Sequence, residues 1–460
     1  MSTTEKSVSS SLHQLEQQLA DKNPVLLQAF RLYHELDQVA YDLGLIGMDE
    51  SLVNKTSWSP VITLIGDPSS GRNEFINRYL DTAIPAIDSF DNHAQFTVLI
   101  HHPYEVPKNL PGTAVDGDPK FPFYHISERL NQIEKDENRH INTYLELTTN
   151  NSNKLKDKTI ILAPGFAPNI KHESVTLLRE HAANLSDLVF VFFNASKPNL
   201  DDYRTSLAPF LKMTTQSNNP GKFIYVINQI PDTVNTLDLA SWKQQLSNLG
   251  LQSGQFFVLK QSTEKNNQLA IEQKLSNIDV ESAYRILQTL EQHINEIDSV
   301  VISEVKKAII LWKDRTHFTD IVLLSFIALT LVAGEIQFGL VAVLLDPFVA
   351  SIFLFLLIVL LIPFHIYSSK IHAKFISKKL VERQIELGLM ENMAALFKKS
   401  LTFWRTLLPF EQPVGWNKDV QETLDMIKTR AKGLVQSLNN IFNSSATAAN
   451  SKKEDTFLNL

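Results

Sequence analysis

From Phe318 to Tyr367 the chain reads FTDIVLLSFIALTLVAGEIQFGLVAVLLDPFVASIFLFLLIVLLIPFHIY, and this segment constrains the protein more than any other. Its second half, Phe348 to Tyr367, holds 20 residues without Asp, Glu, Lys or Arg. At the α-helical rise such a run spans roughly 30 Å, the thickness of a bilayer's hydrocarbon core. The first half is less uniform: Ile321 to Ala333 carries no charge, then Glu335 and Gln337 interrupt before Phe338 to Leu345 resumes. A carboxylate at the bilayer centre costs about 2.5–3.5 kcal/mol, which places Glu335 near an interface rather than on an ion path. Asp346-Pro347 breaks the helix before the second span. Two layouts follow: a tilted helix that runs to Asp346-Pro347, or a shorter helix followed by an interfacial or re-entrant piece. The competing reading, a helical pair buried in a soluble core, is disfavoured because core helices are rarely apolar all round for so long.

Charges outside the segment set its orientation. Lys306, Lys307, Lys313 and Arg315 precede it, and Lys370, Lys374, Lys378 and Lys379 follow it. The excess of Lys and Arg on cytoplasmic loops puts both flanks in the cytoplasm, which a hairpin permits and a single span does not. The basic residues at 370–379 fit either contact with anionic headgroups or topology alone. The amino terminus, MSTTEKSVSSSLHQLEQQL, has no apolar stretch behind its first charges, so a cleaved export signal is not expected. The absence of cysteine excludes disulfides, thiolate metal sites and a thiol nucleophile. A net charge of −7 argues against a dedicated nucleic-acid binder.

Helical patterns flank the segment. Asn23-Pro24 is a helix start, with Leu26, Phe30, Tyr33, Leu36, Val39 and Leu43 on one stripe and Gly44 as the stop. A second pattern fills 278–316, with Leu287, Leu290, Ile294, Ile297 and Val301 three and four apart. After the segment, 369–404 is helical and LPFEQPVGW (408–416) breaks it. Val420, Leu424, Ile427, Ala431, Leu434, Leu438 and Ile441 then form an a/d seam, read first as packing inside a bundle and second as an intermolecular coiled coil. Residues 446–460 read as a tail, as do the first ten.

Between 58 and 262 the pattern changes to short apolar runs, at Val61–Ile65, Phe96–Ile100, Thr159–Leu162, Leu188–Phe193, Phe223–Ile227 and Phe256–Leu259, with helix-compatible stretches between most of them. Strands buried on both faces and alternating with helices predict a parallel α/β sheet. The first run leads into Gly66-Asp67-Pro68-Ser69-Ser70-Gly71-Arg72-Asn73 and then a helix from Glu74 to Leu80. Gly-x-x-x-x-Gly between strand and helix is the frame of a phosphate loop, whose backbone N–H groups curl around phosphates at a helix N-terminus. The two residues that complete the motif differ: Arg72 stands for lysine and Asn73 for the Mg2+-ligating Ser or Thr. Arginine attracts phosphate but does not replace a compact ammonium. A ligand-free tight turn accounts for these eight residues equally well.

The succession of a helix, this loop, Leu162-Ala163-Pro164-Gly165, LSDLVFVFFNASKPNLDDY and FIYVINQIPD resembles the GTPase domain of the dynamin superfamily, nearest to the Eps15-homology-domain ATPases and bacterial dynamin-like proteins. The resemblance covers about 24–260 in detail. Beyond that it is one of architecture: a P-loop GTPase-like parallel sheet plus an α-helical stalk bundle carrying a transmembrane hairpin. On that reading 1–57 holds a tail and a helix on the stalk, 58–262 the nucleotide domain, 263–317 stalk helices, 318–367 the hairpin and 368–445 further stalk. The implied nucleotide site is Gly66, Asp67, Ser69, Ser70, Gly71, Arg72, Asn73, Pro164, Gly165, Asn228 and Asp232.

Each catalytic position departs from the family's pattern. Leu162 replaces the switch aspartate of Asp-x-Pro-Gly, and Asn92-His93 replace the switch threonine. The base-reading Asn-Lys-x-Asp becomes Asn228-Gln229-Ile230-Pro231, with Asp232 one place late. Phosphoryl transfer needs a metal held by loop and switch. The resemblance therefore implies a pseudo-GTPase, with GTP as the nucleotide if any binds and without Mg2+. Its expected partners are a lipid bilayer, further copies of itself or a dynamin-like GTPase, but no nucleic acid. The expected place is a bacterial inner membrane, with both termini and the nucleotide domain cytoplasmic. The alternative is a divergent mechano-GTPase that remodels or fuses membranes; a third reading is a plain tethered scaffold. His101, His102 and His125 invite a metal reading, but without clustered carboxylates they are expected as polar strand ends. Asp201-Asp202 are expected to cap a helix.

Overall fold

A computed structural model describes the chain at all positions except 1–9, 49, 83, 85–94, 104–106, 119, 134–140, 167–172, 196–203, 218, 229–238, 252–253, 260–263, 340–344, 388, 390, 403–404, 406–409 and 458–460. In chain order the elements are α1 (Ser10–Lys22), α2 (Pro24–Leu43), β1 (Val61–Gly66), α3 (Arg72–Leu80), β2 (Phe96–His101), β3 (Asn109–Pro111), α4 (Thr113–Asp116), α5 (Ile126–Ile133), β4 (Leu145–Asn150) and β5 (Thr159–Pro164). Then come α6 (Glu173–Leu185), β6 (Leu188–Asn194), α7 (Arg204–Gln216), β7 (Phe223–Asn228), α8 (Leu239–Asn248), β8 (Gln255–Leu259) and α9 (Glu264–Ser276). The chain closes with α10 (Ile278–Asn295), a π-helical stretch Glu296–Val301, α11 (Ile302–Phe338), α12 (Pro347–Glu386), α13 (Met393–Ser400) and α14 (Lys418–Phe457). Two compact units result: Asn54–Ile286, and Met1–Val53 with Leu287–Leu460.

The first unit is an α/β sheet of eight strands in the order β3-β4-β2-β5-β1-β6-β7-β8. β1 is central and parallel to both β5 and β6, and β7 and β8 continue the parallel set. Side chains alternate between two cores, as period-2 geometry requires. Val61 and Ile65 face one core with Leu178 of α6 and Phe210 of α7, while Ile62 and Leu64 face the other with Ile76 of α3 and Ile271 of α9. Burial on both faces explains why these strands read as continuous apolar runs. The amino end of β1 is fixed by Asp187, whose carboxylate accepts Val61 N (2.8 Å) and Arg285 Nε (2.7 Å).

The sheet is mixed, which corrects the parallel sheet read from the sequence. β2 runs antiparallel to β5, and β3 antiparallel to β4. The link from Asn150 to Thr159 is too short for the dozen or more residues that a parallel crossover needs. Doubly buried runs carry no direction, so their pattern could not show this. β4, LELTTN, was hidden from the apolar pattern because Thr148, Thr149 and Asn150 are buried in it as polar side chains.

In the helical unit α2 starts and stops as its sequence predicts. Asn23 Oδ1 accepts Val25 N (3.0 Å) and Leu26 N (3.2 Å), and Gly44 ends the helix at φ +82°. Its stripe, Leu26 to Leu43, is buried. Leu424, Ile427, Ala431, Leu434 and Leu438 of α14 are buried as well, α14 packs on α2, and Arg430 pairs with Glu35 (2.7 Å). The seam thus works inside the bundle. The backbone of α14 stays helical to Phe457, past the start of the expected tail, because no Gly or Pro interrupts 444–457.

α11 and α12 pack side by side and carry the apolar segment. Near its charged end Trp312 Nε1 donates to Ser369 O (3.0 Å), and Asp320 pairs with His365 (2.6 Å). Gly339, at φ +65°, ends α11 one residue after Phe338, so of the two expected layouts the helix takes the shorter; 340–344 lie outside the described residues. Asp346 opens α12, accepting Phe348 N (2.8 Å) and Val349 N (3.3 Å), with Pro347 at its first position. Both helices are long and apolar enough to cross a membrane, and their apolar windows are wholly unburied. Ile336 is 82% exposed. A buried soluble pair is therefore not what these helices form.

A candidate nucleotide-like site

β1 ends at Gly66, and the next residues fold into one tight turn, Pro68–Ser70. Within it Ser70 N (2.9 Å) and Ser70 Oγ (2.6 Å) both donate to Asp67 O, so the loop satisfies that N–H itself. Gly71 takes φ +78° and leads into α3; a Cβ there would stand 1.8 Å from Asn228 Nδ2. Both the backbone region and the packing demand glycine. Gly165 is required by packing alone, since its Cβ would meet the Asp67 carboxylate at 2.2 Å and Asp67 N at 2.5 Å. Asn194, at the end of β6, donates to Ser69 O (2.8 Å). The loop after β1, the loop after β5 and the ends of β6 and β7 thus converge at the carboxyl edge beside the central strand. Open α/β sheets bind ligands at this point, where strand order reverses.

Buried guanidinium groups hold that corner together. Arg72 is 8% exposed; its Nη1 donates to Ala163 O (2.5 Å), and its Nε (3.0 Å) and Nη2 (2.8 Å) both donate to Asn73 Oδ1. Arg179, from α6, donates Nε to Pro164 O (3.2 Å) and Nη2 to Gly165 O (2.5 Å), and its plane lies over Phe166. Burial lowers both arginines to about 10, against the opposing pull of the Asp67 charge. Three successive carbonyls of the β5 loop, residues 163 to 165, are thereby capped by cations from two different helices. Hydrogen bonds from a charged donor are the stronger kind, so the loop is held firmly.

Among the described residues, the side chains at 73 and 162 do not fit a Mg2+–nucleotide. Mg2+ requires near-octahedral oxygen ligands. The amide oxygen of Asn73 already accepts two N–H groups from Arg72, and Leu162 is buried in the core beneath α3. Asn228 Oδ1, at the end of β7, is buried and makes no hydrogen bond.

Of the residues expected at the site, Gly66 to Asn73, Pro164, Gly165 and Asn228 come together. Asp232, Asn92, His93, Asp201 and Asp202 lie outside the described residues. Arg179 and Asn194 were not anticipated. A sequence signal for Arg179 exists, because it sits in the apolar stripe of Val175, Leu178 and Ala182 where a charge must find partners. Among the described residues the group able to hold a metal does not include His101, His102 or His125. Of the membrane-flanking bases, Lys313 donates to Phe410 O (2.5 Å), while Arg315, Lys370 and Lys374 are exposed.

No protein-family model matches the chain, and no curated protein matches it. Among solved structures it is similar to two chains from work on an oligomerised bacterial dynamin pair, described as a mechanism for long-range sensing and tethering of membranes. Each is 14% identical with a TM-score of 0.38 over 72% of this chain. This chain spans about half their length, 52% and 51%.

Proposed function

We propose that this chain is a membrane-anchored, dynamin-like assembly protein whose α/β unit keeps the backbone frame of a phosphate loop without hydrolysing nucleotide. The observation that carries this reading is the use of Arg72. The residue at the lysine position spends its guanidinium on Ala163 O and Asn73 Oδ1, within the protein. Positioning and charge neutralisation supply most of phosphoryl-transfer catalysis, and here the cation and the expected metal ligand neutralise each other's hydrogen-bonding capacity. The α/β unit then serves as a firm surface for other copies or for an active GTPase. The hairpin of α11 and α12 holds it on a bacterial inner membrane, with both termini on the cytoplasmic side.

Release of phosphate from GTP and ATP by the purified full-length protein tests the catalytic half. The expected outcome is no turnover above buffer. Turnover that Arg72→Ala abolishes would overturn the reading. The anchor is tested on membranes: alkaline carbonate leaves the protein in the pellet, and extraction of the folded chain would remove the anchor. The chain lacks cysteine, so single thiols report topology. Ser10→Cys and Ser444→Cys should label from the cytoplasmic side, and Leu345→Cys from the other.

A second reading, metal-free nucleotide binding, rests on Asn228 Oδ1. A buried acceptor without a partner costs about 1–3 kcal/mol, and a nucleobase donor would satisfy it. Titration with a fluorescent GTP analogue separates the two readings. Binding that is indifferent to Mg2+ and lost in Asn228→Ala supports the second, and no binding supports the first.

A further inference from the structure

The helical unit contains a polar pocket that no sequence motif announces. His293 stands in the last turn of α10, Glu296 one turn later at the start of the π-helical stretch, and Glu391 in the segment before α13. Glu391 is fully buried and His293 is 6% exposed. His293 Nδ1 makes no hydrogen bond; Glu391 Oε1 lies 3.4 Å from it and Glu296 Oε2 3.6 Å. One donor atom from each residue falls within 4.8 Å of the others.

We propose that His293, Glu296 and Glu391 form a binding site for one divalent transition-metal ion of the zinc or manganese class. Ligands about 2.0–2.1 Å from a tetrahedral ion stand about 3.4 Å apart, which matches both separations from Nδ1. The distances are too long for good hydrogen bonds and right for atoms that share an ion. One imidazole and two carboxylates are the donor set of such metals, and neither soft sulfur nor an all-oxygen cage is present. With a neutral imidazole the three side chains carry two negative charges, which a dication balances.

The backbone supports the same assignment. π-helical turns cluster at functional sites, and this one begins at a ligand. Glu296, the most open of the three with a side chain 24% exposed, gives the ion a route in and leaves a fourth position for water. Asn392, next to Glu391, donates its N–H to Leu45 O (2.8 Å), which fixes that segment. A bound ion would join the helix leading into α11 to the segment leaving α12, stapling the base of the apolar hairpin.

Full-length protein in detergent, stripped with a chelator and dialysed against Zn2+ or Mn2+, is assayed by elemental analysis. About one ion per chain is expected, with His293→Gln and Glu391→Gln each weakening binding by more than roughly tenfold. His101→Ala should bind as the parent does. Folded parent protein that retains almost no ion, or variants that load as well as the parent, overturn the site; either result leaves a proton-bridged cluster only. Where a variant fails to fold, the parent decides alone. Its unfolding temperature should rise with Zn2+ and fall back with chelator, and no rise overturns the proposal.

Discussion

The corner at the ends of β1, β5 and β7 and the pocket between α10 and α13 both bury charge, but they neutralise it by different means. The first is closed by the protein's own cations: Arg72 and Arg179 reach the carbonyls of residues 163 to 165, and glycines let the loops meet. The second brings together one imidazole and two carboxylates at distances that suit an added ion better than direct hydrogen bonds. The corner has a glycine-framed turn and fills it from within. The pocket has no frame in sequence and buries an imidazole beside two carboxylates. Resemblance to a motif and a cluster of potential ligands are therefore separate properties, and here they fall in different units.

The comparison is broken most directly at the glycines. Gly165→Ala should cost about 3 kcal/mol or more, because the Asp67 backbone cannot withdraw from the new Cβ. Unfolding followed by tryptophan fluorescence measures it, and a loss under 1 kcal/mol would mean the corner is not tightly closed. Arg179→Met comes next at about 2–3 kcal/mol, since two buried carbonyls lose their donors. Arg72→Met should cost less, roughly 1–2 kcal/mol, because Asn73 can turn to other partners.

Acid sharpens the contrast in a different way. His181 Nε2 donates to Pro122 O (2.9 Å) and Arg129 approaches Nδ1, so the neutral ring is the native one. Burial lowers its pKa to about 4, with Arg129 acting in the same direction. A folded-state pKa below the ordinary value gives stability that is present above 6.5 and lost as pH falls through 4. The unfolding temperature of the parent should fall across that window, and His181→Gln should flatten the slope. The smallest effect is expected in the helical unit at Arg430, whose exposed pair with Glu35 contributes about 0.2–1 kcal/mol. Arg430→Ala read by chemical denaturation would challenge the bundle if it cost several times that.

Much of this is legible in the residues themselves. Asn23-Pro24 and Gly44 bounded α2 correctly because caps act within a few residues. Six strands stand out as apolar runs, whereas β3 and β4 do not; beside its leucines β4 buries Thr148, Thr149 and Asn150, polar groups that find partners only in the fold, Thr148 with Asn109 (3.0 Å) among them. The Gly66–Gly71 frame was visible, but the direction in which Arg72 points was not. A sequence lists a cation at that position without saying whether it turns to a phosphate or to Ala163 O.

By itself the sequence determined that two apolar stretches are long enough to cross a membrane and that a glycine-framed turn joins the first strand to its helix. Both are local consequences of hydrophobicity and of allowed backbone angles. Only tertiary structure decided that β2 runs against β5, that Arg179 lies under the β5 loop, and that Glu391 meets His293. Those outcomes depend on which distant segments share a desolvated space, where a buried charge must find a partner that local spacing does not encode.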